Sequence, residues 1–255
     1  MGFSKAESDN SLFIRNSNAG FMFILVYVDD IIVTGSNSIT VNEVIAPLAS
    51  RFSIKYLGNL SYFLGVEVVQ NADDIILSQA TYINEILNDE LMVDCKSANT
   101  PISASELLKL NDGALLTDAT RYRRVLGRLQ YLSFTRSDIS YVVNKLSQFM
   151  QSPSNLHWKV VKRVLRYLHG TIKFGLRVSP NFDFNLRMYS DADWAGDLTD
   201  RSFTSSYILF LDSNPISWSF KKQKIVARSS TEAEYRVVAN ALTELLWVRN
   251  LLLEM

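Results

Sequence analysis

The tetrapeptide Tyr27-Val28-Asp29-Asp30 lies between two strand-forming runs, Phe21-Met22-Phe23-Ile24-Leu25-Val26 before it and Ile31-Ile32-Val33-Thr34 after it. Apolar arms rich in aromatic and β-branched residues, broken by a short polar stretch, read as a β-hairpin. Paired carboxylates inside such a stretch are costly, because like charges repel and burial penalises both. Two readings account for them. Aspartates tolerate the dihedrals of a tight turn, so turn chemistry alone can explain the pair. Alternatively, a divalent cation offsets the charge. Hard Mg²⁺ takes carboxylate oxygens and keeps other positions for water and phosphate, which suits phosphoryl or nucleotidyl transfer.

The 255 residues, 47% of them hydrophobic, suffice for one large domain or two modest ones with real cores. The lone Cys95 excludes an intramolecular disulfide framework, and a reduced, intracellular setting is the default. No signal peptide opens the sequence, Ala6 spoils a myristoylation signal, and the apolar stretch from Phe21 to Val33 is too short to span a bilayer, so no membrane partner is expected. The sequon Asn59-Leu60-Ser61 is read as chance. Net charge is zero but segregated: residues 1–120 hold 15 acids and 6 bases, whereas Arg121 to Arg177 holds 12 bases and the single acid Asp138. The basic segment is where a polyanion would bind.

Val41, Val44, Ile45, Leu48 and Phe52 recur at helical spacing. Phe63 to Val69 and Ile75 to Ser78 predict a hairpin joined by Asn71–Asp74, followed by a helix from Ala80 to Leu91. Ser97 to Gly113 lacks periodicity and is a candidate linker or strap. Helices are expected over Asp118 to Thr135, Ser137 to Gln151 and Leu156 to His169, with stripes such as Val142, Leu146 and Phe149. Their aromatics Tyr122, Tyr131, Phe134, Tyr141, Trp158 and Tyr167 are assigned to the core, leaving Arg123, Arg124, Lys162, Arg163 and Arg166 as the nucleic-acid contacts. The competing reading of these bases is a solvated helix face. Strands are expected at Ile172 to Val178, Leu186 to Ser190, Ser205 to Leu211, Ile216 to Phe220 and Lys224 to Ala227, then a helix capped by Ser230 or Thr231 and running to about Leu253.

The run Phe23-Ile24-Leu25-Val26-Tyr27-Val28-Asp29-Asp30-Ile31-Ile32-Val33-Thr34-Gly35, with Leu64-Gly65-Val66-Glu67 downstream, resembles the palm of reverse transcriptases of copia-type long-terminal-repeat retrotransposons. Tyr122 to Tyr131 and Thr135-Arg136-Ser137-Asp138-Ile139 resemble the connection of the same family, with Ser137 where members usually have proline. The resemblance implies a metal role for Asp29 and Asp30, a place beside the primer end for Tyr27 and Val28, and a primer-gripping hairpin at Phe63, Leu64 and Gly65. It also implies Mg²⁺ or Mn²⁺ as cofactor, RNA template, DNA primer and RNA–DNA hybrid as partners, and a cytoplasmic virus-like particle as location.

A second carboxylate set follows. Tyr189-Ser190-Asp191-Ala192-Asp193-Trp194-Ala195-Gly196, three strands, then Ser229-Ser230-Thr231-Glu232-Ala233-Glu234-Tyr235 is similar to the opening of ribonuclease H folds. By that resemblance Asp191 and Glu234 are metal ligands, with Asp193 and Glu232 as runners-up. Asp193, Asp197 and Asp200 otherwise read as loop residues and Glu232 as a helix-start residue. Neither His157 nor His169 suits catalysis, and no nucleophilic triad is supported.

The expected fold is therefore α+β: a partial reverse-transcriptase palm hairpin and thumb/connection helices, then a truncated ribonuclease H-like sheet and helix. The expected division is 1–96 palm and start of thumb, 97–170 basic helical region and 171–255 ribonuclease H-like half. The family's remaining ligands lie outside these motifs: one palm aspartate upstream and two ribonuclease H aspartates downstream. The chain is thus expected to be a piece of a reverse transcriptase/ribonuclease H, inactive alone. A non-catalytic nucleic-acid-binding remnant or an unexpressed pseudogene product is the alternative.

Overall fold

The structure, a computed structural model, describes residues 2–18, 20–103, 108–110, 112–180, 184–196 and 200–255. They form a mixed α+β chain in two compact units, Met1–Phe63 with Leu242–Met255, and Leu64–Ala241.

In the first unit, β1 (Ser4–Lys5), β2 (Leu12–Ser17), β3 (Gly20–Tyr27) and β4 (Asp30–Gly35) form an antiparallel sheet in that order. The apolar run of β3 serves both faces, because successive side chains alternate. Met22 and Ile24 are buried with Val44 of the helix α1 (Ser38–Arg51), and Val41 and Leu48 pack against them. Phe23 packs instead with Ala6, Leu12, Ile14 and Leu251. Asn37 caps α1, its Oδ1 accepting from the Ile39 N–H at 2.8 Å. The short strand β5 (Tyr62–Phe63) follows.

In the second unit, β6 (Val66–Gln70) and β7 (Ile75–Ser78) form the expected hairpin, with the Asn71 N–H donating to the Asp74 carbonyl at 2.9 Å across the loop. β8 (Leu176–Val178) pairs with β7; it is shorter than its apolar pattern, since Thr171 to Phe174 turn before it. The helices α2 (Ala80–Asp89), α3 (Ala119–Leu132), α4 (Ser140–Ser147) and α5 (Asn155–Gly170) share one core. Ile83, Leu126, Leu129, Leu146, Val161 and Leu165 are fully buried there, each contributing roughly 1.5–3 kcal/mol. The expected helix from Ser137 begins as a 3-10 turn over Ser137–Ile139.

His157 belongs to this scaffold. Its Nδ1 accepts from the Ser154 N–H at 3.0 Å while Ser154 Oγ accepts from the His157 N–H at 3.3 Å, a capping box with histidine at the third position. The ring stacks on Phe149 at 3.9 Å, and burial lowers its pKa. The Ser154 hydroxyl donates its hydrogen bond to the Asp112 carboxylate, so the three do not form a nucleophile–base relay.

Among the described residues, 97–113 carry no helix or extended strand, only an isolated β-bridge outside them at Leu116–Ser154. They form a strap held by α5: Arg166 Nε donates to the Lys96 carbonyl at 2.6 Å, and Arg163 donates to the Thr100 carbonyl and hydroxyl at 3.2 and 2.8 Å.

β9 (Leu186–Asp193), β10 (Thr204–Leu211) and β11 (Asn214–Lys222) form an antiparallel sheet in the order β11-β10-β9. Lys224 to Ala227 is not a strand, contrary to its pattern. The Gln223 N–H bonds the Phe203 carbonyl, and Ala227 turns into a cluster with Phe203, Ala233 and Val237. The last helix, α6 (Ser230–Glu254), starts in this unit, and its residues from Leu242 on belong to the first. There Glu254 accepts from the N–H groups of Glu7 and Ser8 at 2.7 and 3.0 Å, and Trp247 Nε1 donates to the Ser8 carbonyl at 3.0 Å. No helix among the described residues is long and apolar enough to cross a membrane.

Candidate functional site

Tyr27 pairs with Asp30 across β3 and β4, leaving Val28 and Asp29 as a two-residue turn. Val28 has φ +51°, a region that residues other than glycine rarely enter. The sequence suggests aspartate as the residue that tolerates such a turn; here the β-branched valine bears the unusual dihedral, at a cost of about 1–3 kcal/mol. Tyr27, Val28, Asp29 and Asp30 are all exposed, Val28 at 86%. The burial penalty expected for the aspartates therefore does not arise, because the buried faces of the hairpin stop before the tip. Neither carboxylate makes a hydrogen bond or ion pair among the described residues, which leaves two hard oxygen donors free side by side. That donor chemistry fits Mg²⁺, which commonly takes one or two carboxylates together with substrate phosphates.

Leu64 and Gly65 form the two-residue turn between β5 and β6, with φ of +47° and +74°. Positive φ at both positions is the type I′ pattern. The Tyr131 hydroxyl donates to the Leu64 carbonyl, and a Cβ on Gly65 would sit 3.0 Å from that hydroxyl oxygen. The expected hairpin at Phe63, Leu64 and Gly65 is thus a turn in which close packing and backbone conformation both call for glycine at 65.

Asp191 and Asp193 are exposed and share one face of β9, opposite Ser206 and Thr204 of β10. Asp193 ends the strand instead of lying in a loop. Its carboxylate folds over Gly196, where an added Cβ would overlap it. Ala192, on the other face, packs against the cluster holding Ala233 and Val237 of α6. Asp191 therefore leaves the strand on the face away from that cluster, while exposed Glu234 lies next to Ala233 in α6. Glu232 has a different job: it accepts from the Arg228 N–H at 2.8 Å and pairs with Arg236 at 2.9 Å. Ser229, one residue earlier than the sequence suggests, accepts from the Glu232 N–H at 3.1 Å and starts the helix. Hydrogen bonds from Ser202 and Lys222 lower the Asp200 carboxyl to about 2. Asp197 lies outside the described residues. Among those described, no three His, Cys, Asp or Glu side chains gather as a metal cluster.

The basic helices are less bare than their composition implies. Acids at the end of α2 and just beyond it, invisible as neighbours in the sequence, reach across to them. Buried Glu90 pairs with Arg121 at 2.7 Å and Arg124 at 3.1 Å, and Arg128 pairs with Asp89. Arg123 donates to the Met150 carbonyl at 3.1 Å, and Arg163 and Arg166 hold the strap. Lys162 is exposed and makes no ion pair among the described residues. Of the aromatics assigned to the core, Tyr122 is fully buried, but Phe134 and Tyr141 are exposed, at 69% and 45%. A helical stripe cannot reveal that the sheet strand β11 covers one side of α4 and leaves these rings at its margin.

The reverse transcriptase (RNA-dependent DNA polymerase) family matches residues 1–104. The retrovirus-related Pol polyproteins from transposons RE2 and RE1 of Arabidopsis thaliana are 46% and 47% identical over all 255 residues. The chain spans only 18% and 17% of their lengths. An uncharacterized mitochondrial protein of the same plant is 44% identical over 229 residues, covering 89% of this chain and 94% of that protein. No solved structure matches. The chain belongs to the copia-type retrotransposon Pol polyproteins and carries part of their reverse transcriptase region.

Proposed function

We propose that this chain is the reverse transcriptase to ribonuclease H segment of such a polyprotein, working on RNA template, DNA primer and RNA–DNA hybrid. The observation that carries the reading is the exposed, unpaired Asp29–Asp30 set at the tip of the β3–β4 hairpin, in a chain of this family. Asp29 and Asp30 would hold Mg²⁺ or Mn²⁺, which supplies charge stabilisation for nucleotidyl transfer when bound. Tyr27 and Val28 flank the primer end, and the Phe63, Leu64 and Gly65 turn steadies the primer strand. The same reading divides the chain at 1–96, 97–170 and 171–255, with Asp191 and Glu234 as ribonuclease H carboxylates. The strand order β9, β10, β11 followed by α6 supports the last part from Leu186 on, whereas β8 pairs with β7.

The hairpin offers two carboxylates, while Asp191 leaves β9 on the face away from the cluster where the helix of Glu234 packs; catalytic groups that act as a unit lose most of their activity when members are missing. Further ligands come from the rest of a longer polyprotein, and the 255 residues alone do not turn over. The test is primer extension and hybrid cleavage in Mg²⁺ and Mn²⁺. The isolated chain should show neither, and a longer polyprotein containing it should show both. Asp29→Asn should abolish extension by the longer protein, and Glu234→Gln should abolish its hybrid cleavage. Turnover by the isolated chain that either substitution removes would refute the division of labour proposed here.

A further inference from the structure

Within the second unit, a recess of about 450 Å³ opens between α3, α4 and β11. Its size falls in the ~300–1,000 Å³ range of small-ligand sites. Trp218 forms one wall and is fixed there, because its Nε1 donates to the Ser133 carbonyl at 2.9 Å. Phe134, exposed and set edge-on to Tyr131 at 5.8 Å, forms the rim. The polar lining is neutral: among the described residues that line the recess, none is ionisable. Ser140 Oγ is buried without a hydrogen-bond partner among the described groups, and the Asn144 amide has none there either. Gln130 donates to Ser147 Oγ at 3.0 Å, which leaves its Oε1 as an acceptor.

Aromatic faces beside unspent amide and hydroxyl groups suit a flat, uncharged ligand that carries both donors and acceptors. A phosphate would find no cation inside, and an acyl chain would leave the polar groups unpaired. Lys145 and Lys221, each next in the chain to a lining residue, make no ion pair among the described residues and can meet a phosphate outside. We propose that this recess takes one unstacked base of single-stranded nucleic acid, stacked on Phe134 and hydrogen-bonded by Asn144 and the Gln130 Oε1. The proposal rests on the nucleic-acid reading above but names a site separate from both carboxylate pairs.

The test compares binding of a labelled oligodeoxythymidine with a strand of equal phosphate count whose residues are abasic. The chain should prefer the base-bearing strand about tenfold, the order expected for one stacked base. Phe134→Ala, at an exposed position that does not threaten folding, and Asn144→Leu should each remove most of that preference and leave the abasic affinity and salt dependence unchanged. Equal affinity for the two strands, or a preference that survives both substitutions, would overturn the pocket while leaving the nucleic-acid reading intact. Failure to bind either strand at any salt concentration would overturn both.

Discussion

The Tyr131 hydroxyl, on α3, donates to the carbonyl of Leu64, 67 residues earlier in the chain. Leu64 sits at φ +47°, an unusual conformation for a branched side chain, and the bond helps hold the turn in it. Tyr131→Phe should destabilise the second unit by about 1 kcal/mol, the net value of one such bond. Gly65→Ala should cost about 1–2 kcal/mol, because a side chain at φ +74° is strained and its Cβ meets the Tyr131 hydroxyl. Denaturant unfolding measures both. No loss from either substitution would mean that the turn is not held by Tyr131.

At the aspartate hairpin the strain can be relieved directly. Val28→Asn removes a β-branched residue from φ +51° and replaces it with one that tolerates the left-handed region. Stability should rise by roughly 0.5–1 kcal/mol, below the full cost of the outlier, since Asn pays part of it. A thermal melt reads the change, and a fall in midpoint would count against the strained-turn geometry.

Arg136 is buried at the centre of a network. It donates to both oxygens of Asp138 at 3.0 and 2.7 Å, to the Thr171 carbonyl at 3.0 Å and to the Thr171 hydroxyl at 2.8 Å. Burial raises the Asp138 carboxyl, but hydrogen bonds and charge from Arg136, with the Tyr167 hydroxyl, outweigh it and hold the pKa below its ordinary value. A depressed carboxylate stabilises the fold above its unfolded value of 3.8, and that contribution is lost as pH falls from there through the folded value. Asp138→Asn removes the charge beside a guanidinium that keeps its Thr171 bonds, and because Asp138 is itself partly exposed it should cost about 1–2 kcal/mol at neutral pH. The deficit should shrink on acidification below that window. A deficit constant with pH would rule out the charge pair as its source.

Nucleic-acid affinity should fall steeply with salt, and the five candidate cations should divide. Lys162→Gln should lower the log–log salt slope by about 0.9 without altering stability. Arg166→Gln should lower the slope and also cost roughly 1.5–3 kcal/mol, because the Lys96 carbonyl loses a charged donor. Arg123, Arg124 and Arg163 are expected to resemble Arg166, since each also bonds the protein. Titrations at several salt concentrations, with unfolding curves, separate the two effects. A slope unchanged after all five are neutralised would mark the segment as a solvated face.

The sequence by itself determined the local elements and the family. Hydrophobic period alone places α1, α2, α3 and α5 and the β3–β4 hairpin, because a helix stripe or strand alternation depends only on residues a few positions apart. It also places the two aspartates at a hairpin tip. What tertiary structure decided depends on partners far along the chain. Glu90 and Asp89 neutralise arginines 31 and 39 residues later, a pairing that charge counts within one segment cannot show. Glu254 and Trp247 fasten the last helix to Ser8, more than two hundred residues away. Lys224 to Ala227 has strand composition, yet its ladder ends at Gln223 and Ala227 serves a packed cluster instead. The positive φ at Val28 and the exposure of Phe134 have the same origin: backbone twist and neighbouring elements fix them, and periodicity carries no record of either.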